Sequence, residues 1–282
     1  MKLGRLAGSA VLITNGGAID VARASGGRFG PDLDGIYERW SEFAAWADGP
    51  EATGAAAEDF DEAALEAPVG RPRQIFAIGL NYAAHAAEAG LQPARDLVVF
   101  TKFASSIAGP VSRVPLPTGT VDWEVEIVAI IGEEARRVTI DEAWDRVAGL
   151  AIGQDLSERT MQLHGQTPQF SLAKSHPGFS PVGPALVTLD ELPDRDAIEF
   201  GCAVDGQTMQ SGNTRNLLFS IPEIISELSR VVTLYPGDVI FTGTPDGVGL
   251  GRDPKVYLQP GQTLVSSAAG LGEIRSELTE AE

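Results

Sequence analysis

The stretch Asp122-Trp123-Glu124-Val125-Glu126 sets three carboxylates at alternate positions. In an extended strand alternate side chains share a face. Asp122, Glu124 and Glu126 then point one way, and Trp123, Val125 and Ile127 the other. Three acids on one face repel each other and resist burial. Either water bathes that face, as on an exposed acidic edge, or a cation neutralises it. The apolar run that follows, residues 127–131, makes the second half of the strand buried on both faces and sets the acids at the mouth of a core element. Asp155 ends another apolar run, Gly149-Leu150-Ala151-Ile152-Gly153, and is the natural further ligand. Asp155-Leu156-Ser157-Glu158 reads equally well as the cap of a short helix. Oxygen-only donors suit a hard ion such as Mg2+, Mn2+ or Ca2+, whereas Zn2+ usually wants His or Cys.

A second group lies in Asn81-Tyr82-Ala83-Ala84-His85-Ala86-Ala87-Glu88, which reads as a helix over 82–89 capped by Asn81 and stopped by Gly90. His85 and Glu88 are neighbours on such a helix. A carboxylate beside an imidazole fixes its tautomer and raises its basicity, which makes a general base for water. A surface ion pair is the plainer alternative. His164 and His176 lie in loop-like sequence and read as ordinary polar residues. An anionic substrate needs cations nearby. Arg159 and Gln162 follow Asp155 at spacings that share its face on a helical turn, Lys174 comes next, and Lys102 ends the strand over 98–102. Singly, each reads as a solvated charge. Thr242-Gly243-Thr244-Pro245 offers N–H groups and a hydroxyl that suit a carboxylate, or is a plain turn. It is no P-loop, because no Gly-Lys-Ser/Thr follows. Gly247-Val248-Gly249-Leu250-Gly251 opens no helix and is no dinucleotide fingerprint. Cys202 sits mid-strand where alternation buries it, and no Gly-x-Ser-x-Gly elbow occurs.

The elements that must hold these residues are short. Strands are expected over 75–78, 98–102, 122–131, 149–155 and 239–242, with a hairpin at Asp205-Gly206. Thr139-Ile140-Asp141-Glu142 and Ser220-Ile221-Pro222-Glu223 are capping boxes that open helices to about residues 147 and 231. Earlier, Asn15-Gly16-Gly17 signals a hairpin with a return strand over 18–22. A helix is expected over 35–47, loose helix over 49–67, and a linker at Pro68-Val69-Gly70-Arg71-Pro72. The reading is an α+β, β-rich protein with a small N-terminal α/β unit, residues 1–70, and a catalytic domain, residues 71–282.

Acids outnumber bases by 39 to 21, for a formal charge of −18, so the phosphate-neutralising surface of a nucleic-acid binder is missing. Anionic membrane surfaces should repel the chain. The single cysteine excludes an intramolecular disulfide and a thiolate metal cage. With no signal-peptide pattern and no apolar run of spanning length, a cytoplasmic protein is expected.

Taken in order, these stretches resemble the fumarylacetoacetate hydrolase family. The resemblance spans about residues 72–272: Gly79-Leu80-Asn81-Tyr82 with His85 and Glu88, Val99-Phe100-Thr101-Lys102, Asp122 to Glu126, Asp155 to Arg159 with Gln162, Lys174-Ser175, Pro181-Val182-Gly183-Pro184, and Pro236-Gly237-Asp238 through Gly249. It implies a roll of mixed β-sheets, paired as a homodimer. It implies Mg2+ or Mn2+, with Ca2+ able to substitute, held by Glu124, Glu126 and Asp155, with Asp122 no ligand. His85 and Glu88 would lie on a mobile lid helix and be catalytic with Lys174. Arg159, Gln162, Thr244, Gly243 and Tyr82 would bind substrate. Two departures flank the pocket: Pro177 follows His176 where many members carry Asp after Lys-Ser, and Gln154 stands where many carry Asn.

The implied reaction is metal-dependent hydrolysis of a C–C bond in a 3-acylpyruvate-type 2,4-dioxo acid, giving pyruvate and an acid. Fumarylpyruvate, other acylpyruvates and 2,4-diketo-3-deoxy sugar acids are of this type. Decarboxylation of an oxaloacetate-like acid and isomerisation of a 2-hydroxy-diene-dioate use the same enolate and are the alternatives. A non-catalytic metal-binding protein is the reading from another class, and it needs no His–Glu pair beside the acids.

Overall fold

The computed structural model describes residues 1–88 and 90–281. The chain begins with an antiparallel meander, β1 (Lys2–Leu6), β2 (Ser9–Thr14) and β3 (Gly17–Asp20), with Thr14 opposite Gly17 at the expected turn. The return strand is shorter than expected. Asp20 accepts a hydrogen bond from Arg23 N–H and so caps α1 (Val21–Ala24). The helix expected over 35–47 is two helices, α2 (Leu33–Tyr37) and α3 (Trp40–Ala47), parted at Arg39, whose φ of −123° and ψ of 36° are not helical. Of the loose helix expected over 49–67 only α4 (Pro50–Thr53) forms, followed by a 3-10 turn and β4 (Leu65–Glu66). Alanine supplies helix propensity there, but Gly49 and Gly54 bound the one turn that forms.

Beyond the linker come β5 (Ile75–Gly79), α5 (Ala83–Glu88) and β6 (Val98–Thr101). Residue 89, the expected last residue of the α5 helix, lies outside the described residues. Next are β7 (Ile107–Ala108), β8 (Val111–Leu116), β9 (Val121–Asp122) and β10 (Val125–Ile131). The Thr139 capping box opens α6 (Ile140–Ala143), which tightens into a 3-10 turn before β11 (Val147–Gln154). Then follow β12 (Ser157–Glu158), α7 (Arg159–Gln162), α8 (Phe170–Ala173) and β13 (Ser180–Val187). The hairpin β14 (Glu199–Val204) and β15 (Gln207–Asn213) precedes α9 (Ile221–Val231), which starts on the Ser220 capping box. The chain closes with β16 (Val239–Phe241), β17 (Thr263–Ala268) and β18 (Gly272–Glu280).

Two main sheets result. The larger runs β3-β2-β1-β13-β11-β10-β16-β5-β6, and the smaller runs β15-β14-β17-β18-β8. The N-terminal unit therefore continues the large sheet, with β1 antiparallel to β13 (Leu3 opposite Leu186). β10 and β11 lie at the middle and are buried along their whole length, as their unbroken apolar runs require. Their alternation sorts the core into two clusters. Ile127, Ala129 and Ile131 pack with the small sheet and α9, including Phe200, Leu264, Ile224 and Leu228. Val128 and Ile130 pack with the N-terminal unit, including Phe29, Trp40 and Phe43. No helix of the described residues is long and apolar enough to cross a membrane.

Candidate active site

Register builds the site. In the β10–β11 ladder Val125 faces Gln154 and Glu126 faces Gly153, and Asp155 N–H donates to the Glu124 carbonyl at 2.8 Å. Glu124, Glu126 and Asp155 are thereby brought together: one carboxylate oxygen of each lies within 4.8 Å of the others, and all three are buried. Trp123, Val125 and Ile127 enter the opposite cluster, as alternation predicts. Asp122 is the exception. The strand breaks after it, and β9 pairs with β12 in a separate ladder, Asp122 opposite Ser157. Its carboxylate meets Arg159 instead of the other acids. The cap reading of Asp155 falls to Glu158, which accepts from Thr160 N–H and Met161 N–H at 2.9 and 2.6 Å at the start of α7.

The cations that read singly as surface charges are buried among these acids. Lys174 Nζ lies 2.5 Å from Glu124 Oε2 and 2.7 Å from Asp155 Oδ2. Lys102 Nζ lies 2.5 Å from Asp155 Oδ1 and also donates to the carbonyls of Lys174 and Phe179. Arg159 Nη2 bridges Asp122 Oδ2 at 2.8 Å and Glu124 Oε1 at 2.7 Å, while its Nη1 donates to Gln162 Oε1 at 2.8 Å. Against the penalty of burial, Lys174 and Arg159 hold the Glu124 carboxyl below the usual range. Burial works against the charge of Lys174 too, but Asp155 and Glu124 raise its ammonium above the ordinary value. For Lys102 burial prevails, and its ammonium is lowered.

Four buried carboxylates, Asp122, Glu124, Glu126 and Asp155, thus face three buried cations. The uncompensated charge falls on Glu126. Among the described residues it accepts one hydrogen bond, from Gly243 N–H at 2.7 Å. Burial, then the charges of Asp155 and Glu124, push its carboxyl well above the usual range. A buried carboxylate short of positive charge, in a cluster of oxygen donors, is what a hard divalent ion satisfies. Mg2+ and Mn2+ therefore fit this donor set.

Glu124, Glu126, Arg159, Gln162, Lys174 and Thr244 line a cavity of about 520 Å³ together with His85 and Glu88. Ile78, Val98, Phe100, Leu163 and Leu250 give it apolar walls. His85 Nδ1 is 3.5 Å from Glu88 Oε2, an ion-pair distance without hydrogen-bond geometry, since Nδ1 has no partner among the described residues. Glu88 in turn accepts from Gly247 N–H with both oxygens at 3.1 Å. His85 is close enough to Glu124 to favour its charged form. Thr244 Oγ donates to the Val125 carbonyl at 2.9 Å and accepts from Gln210 Nε2 at 2.8 Å.

Two residues expected to bind substrate are placed otherwise. Tyr82 is buried in the core against Phe200, ring centroids 6.3 Å apart, and does not line the cavity. Gly243 acts from outside the cavity lining, through its N–H on Glu126. His164 is exposed, and His176 packs its ring 4.9 Å from that of Phe179. Cys202 is buried, and burial pushes its thiol up to about 12.

Sequence reasoning gave no role to two glutamines that brace the site. Gln154 Oε1 accepts from Glu124 N–H at 2.8 Å, and its Nε2 donates to Ser266 at 2.9 Å. Gln210 Oε1 accepts from Val125 N–H at 2.9 Å, and its Nε2 reaches Thr244 and Pro245. For Gln154 the signal was its place beside Asp155 at the end of an apolar strand. Nothing in the sequence marks Gln210.

The chain is a β-rich α+β protein in which a His–Glu pair shares one cavity with carboxylates from a cluster able to hold a metal, and the comparisons narrow the class. The model for the fumarylacetoacetate (FAA) hydrolase C-terminal region matches residues 74–279. The chain belongs to the fumarylacetoacetate hydrolase family. It is 50% identical to a provisionally assigned HpcE protein from Mycobacterium smegmatis, whose crystal structure matches with a TM-score of 0.93 and 100% of both chains covered. It is 40% identical over 215 residues to human mitochondrial oxaloacetate tautomerase FAHD2A, covering 76% of this chain and 68% of that one. It is 27% identical to maleylpyruvate hydrolase from Sphingobium sp. SYK-6, solved with manganese(II) and pyruvate, with a TM-score of 0.83 and 100% of both chains covered.

Proposed function

We propose that this chain is a divalent-metal-dependent enzyme that hydrolyses a C–C bond in a 2,4-dioxo acid, releasing pyruvate and a second acid. The observation that carries the reading is the buried trio Glu124, Glu126 and Asp155, in which Glu126 lacks a cationic partner among the described residues, with Glu124 and Glu126 lining the same cavity as His85 and Glu88. A divalent ion held by those three carboxylates would supply Lewis acidity to the substrate's 2-oxo oxygen. His85 takes a proton from water as the oxygen adds to the 4-oxo carbon, and Glu88 stabilises the imidazolium. The C3–C4 bond then breaks, with its electron pair going to C3 of a pyruvate enolate. His85 returns the proton to C3, and the second acid leaves with the water oxygen. Lys174 and Arg159 supply fixed positive charge beside the developing anion.

A second reading has a specific observation in its favour. The match to an oxaloacetate tautomerase is closer, at 40% identity, than the match to a maleylpyruvate hydrolase, at 27%. In that reading His85 and Glu88 move a proton between C3 and the 2-oxo oxygen, and no water is consumed. The test is a substrate panel with Mg2+ or Mn2+: acylpyruvates, sugar-derived 2,4-dioxo acids and oxaloacetate. Metal-dependent release of pyruvate with the matching acid supports hydrolysis. Accelerated decay of enol-oxaloacetate with no pyruvate from any 2,4-dioxo acid supports the tautomerase, and CO2 release without water consumption supports a decarboxylase. No turnover of any member would leave a non-catalytic metal-binding protein.

A further inference from the structure

The turn at residues 247–251 bonds carboxylates from two separate elements. Gly247 N–H donates to Glu88 on α5, while Gly249 N–H and Leu250 N–H donate to Asp122 at 2.7 and 2.9 Å. The packing is as close as the bonding. A Cβ on Gly249 would come 2.8 Å from Asp122 Oδ1, and a Cβ on Gly251 would collide with the Glu88 side chain. Asp122 is fully buried and also accepts from Arg159 Nε at 2.9 Å and from Trp123 N–H at 2.9 Å. Its oxygens are therefore fully engaged by neighbours, and it stands outside the three acids that cluster for a metal.

We infer that Asp122 is a positioning residue that fastens Arg159 and the 247–251 turn into one frame, so that docking of α5 and presentation of Arg159 to the cavity are set together. Arg159 keeps Glu124 as a partner without Asp122, so its charge stays. What it loses is the second anchor that fixes the plane of the guanidinium. A planar fork delivers directional bonds to a substrate anion only when that plane is fixed. The same loss frees Gly249 and Leu250, and through the turn it frees the Gly247 contact that holds Glu88.

The kinetic arm of the test rests on the proposed activity, whereas the exchange arm reads the free protein whatever it catalyses. In Asp122→Asn, amide hydrogen exchange should quicken about tenfold at Gly249 and Leu250 and also across α5, which Asp122 does not touch. KM should rise about tenfold or more with a smaller fall in kcat, and Asp122→Asn with Arg159→Met together should cost no more than the worse single change. Gly251→Ala probes the frame from the lid end at an exposed position. It displaces Glu88 and should quicken exchange at Gly249 and Leu250 as well as in α5. Exchange confined to the residue altered, in either variant, would overturn the coupling. Additive kinetic losses in the double variant would overturn the action through Arg159. Slow native exchange in Asp122→Asn would overturn the inference outright.

Discussion

One face of β10 holds two opposite kinds of interior. Glu126 belongs to the acidic cluster, yet Val128 and Ile130, next on the same face, belong to the N-terminal core. That core is apolar and aromatic: Phe43 packs against Phe29, Trp40 and Trp46 with ring centroids 5.4, 5.7 and 5.8 Å apart. Such packing needs shape and volume, and it gains from each ring removed from water. The acidic half gains little from burial. Desolvating so many charges costs more than most pairs return, unless geometry and hydrogen bonds are nearly complete. The contrast teaches where each property resides. The apolar half holds the strand in place, and the charged half leaves Glu126 with no ion pair among the described residues.

This division can be broken by experiment. Glu126→Ala should lower turnover by about 10³-fold or more while leaving the thermal unfolding transition cooperative, because metal assistance is worth several kcal/mol. Steady-state rates with Mg2+ or Mn2+ beside calorimetry read both, and retained activity would remove Glu126 from the site. Phe43→Ala should cost about 3–5 kcal/mol in urea unfolding by leaving a cavity in the aromatic cluster. Metal affinity measured by titration calorimetry should not follow it. A parallel loss of affinity would show that the two halves are one cooperative unit. His85→Ala should cost about 10²–10⁴-fold in kcat, the usual worth of a general base, with metal affinity kept. Loss of metal instead would make His85 part of the ion's own surroundings.

The smallest effect sharpens the contrast most. In chelator, the folded-state pKa of Glu126 is raised by burial, then by Asp155 and Glu124, above the 4.5 of a free glutamate. The folded protein therefore binds that proton more tightly than the unfolded chain. The stability so gained is fully present below about pH 4.5 and is lost as pH rises through the raised value. Wild type in chelator should melt progressively lower than Glu126→Gln as pH climbs from 5 to 8, and saturating Mn2+ should reverse the order. Melts that run parallel across this range would mean that Glu126 is already compensated by protein groups.

Much of this was legible early. The alternation in Asp122 to Ile131 placed Trp123, Val125 and Ile127 in one cluster and paired Glu124 with Glu126. Both capping boxes open the helices they announce. The N-terminal unit was harder to read. Its alanines favour helix over 49–67, but beyond the single turn of α4 the segment docks as turns and one short strand against β1, because tertiary pairing outweighs a propensity worth tenths of a kcal/mol per residue. Lys102, a candidate cation that singly reads as a solvated charge, is buried against Asp155. No residue within four positions of Lys102 is acidic, and Asp155 reaches it only through the fold, which the local sequence does not contain.

By itself the sequence determined which residue types would carry the chemistry, since strand period and donor chemistry are local properties. The tertiary structure alone decided how the charges are shared. Lys102, Lys174 and Arg159 meet Asp155 and Glu124 only once β10, β11, the end of β6 and the segment after β11 close on one another. Coulomb interactions fall with distance and strengthen away from water, so pairings across 19 to 53 residues exist only in the folded, buried state.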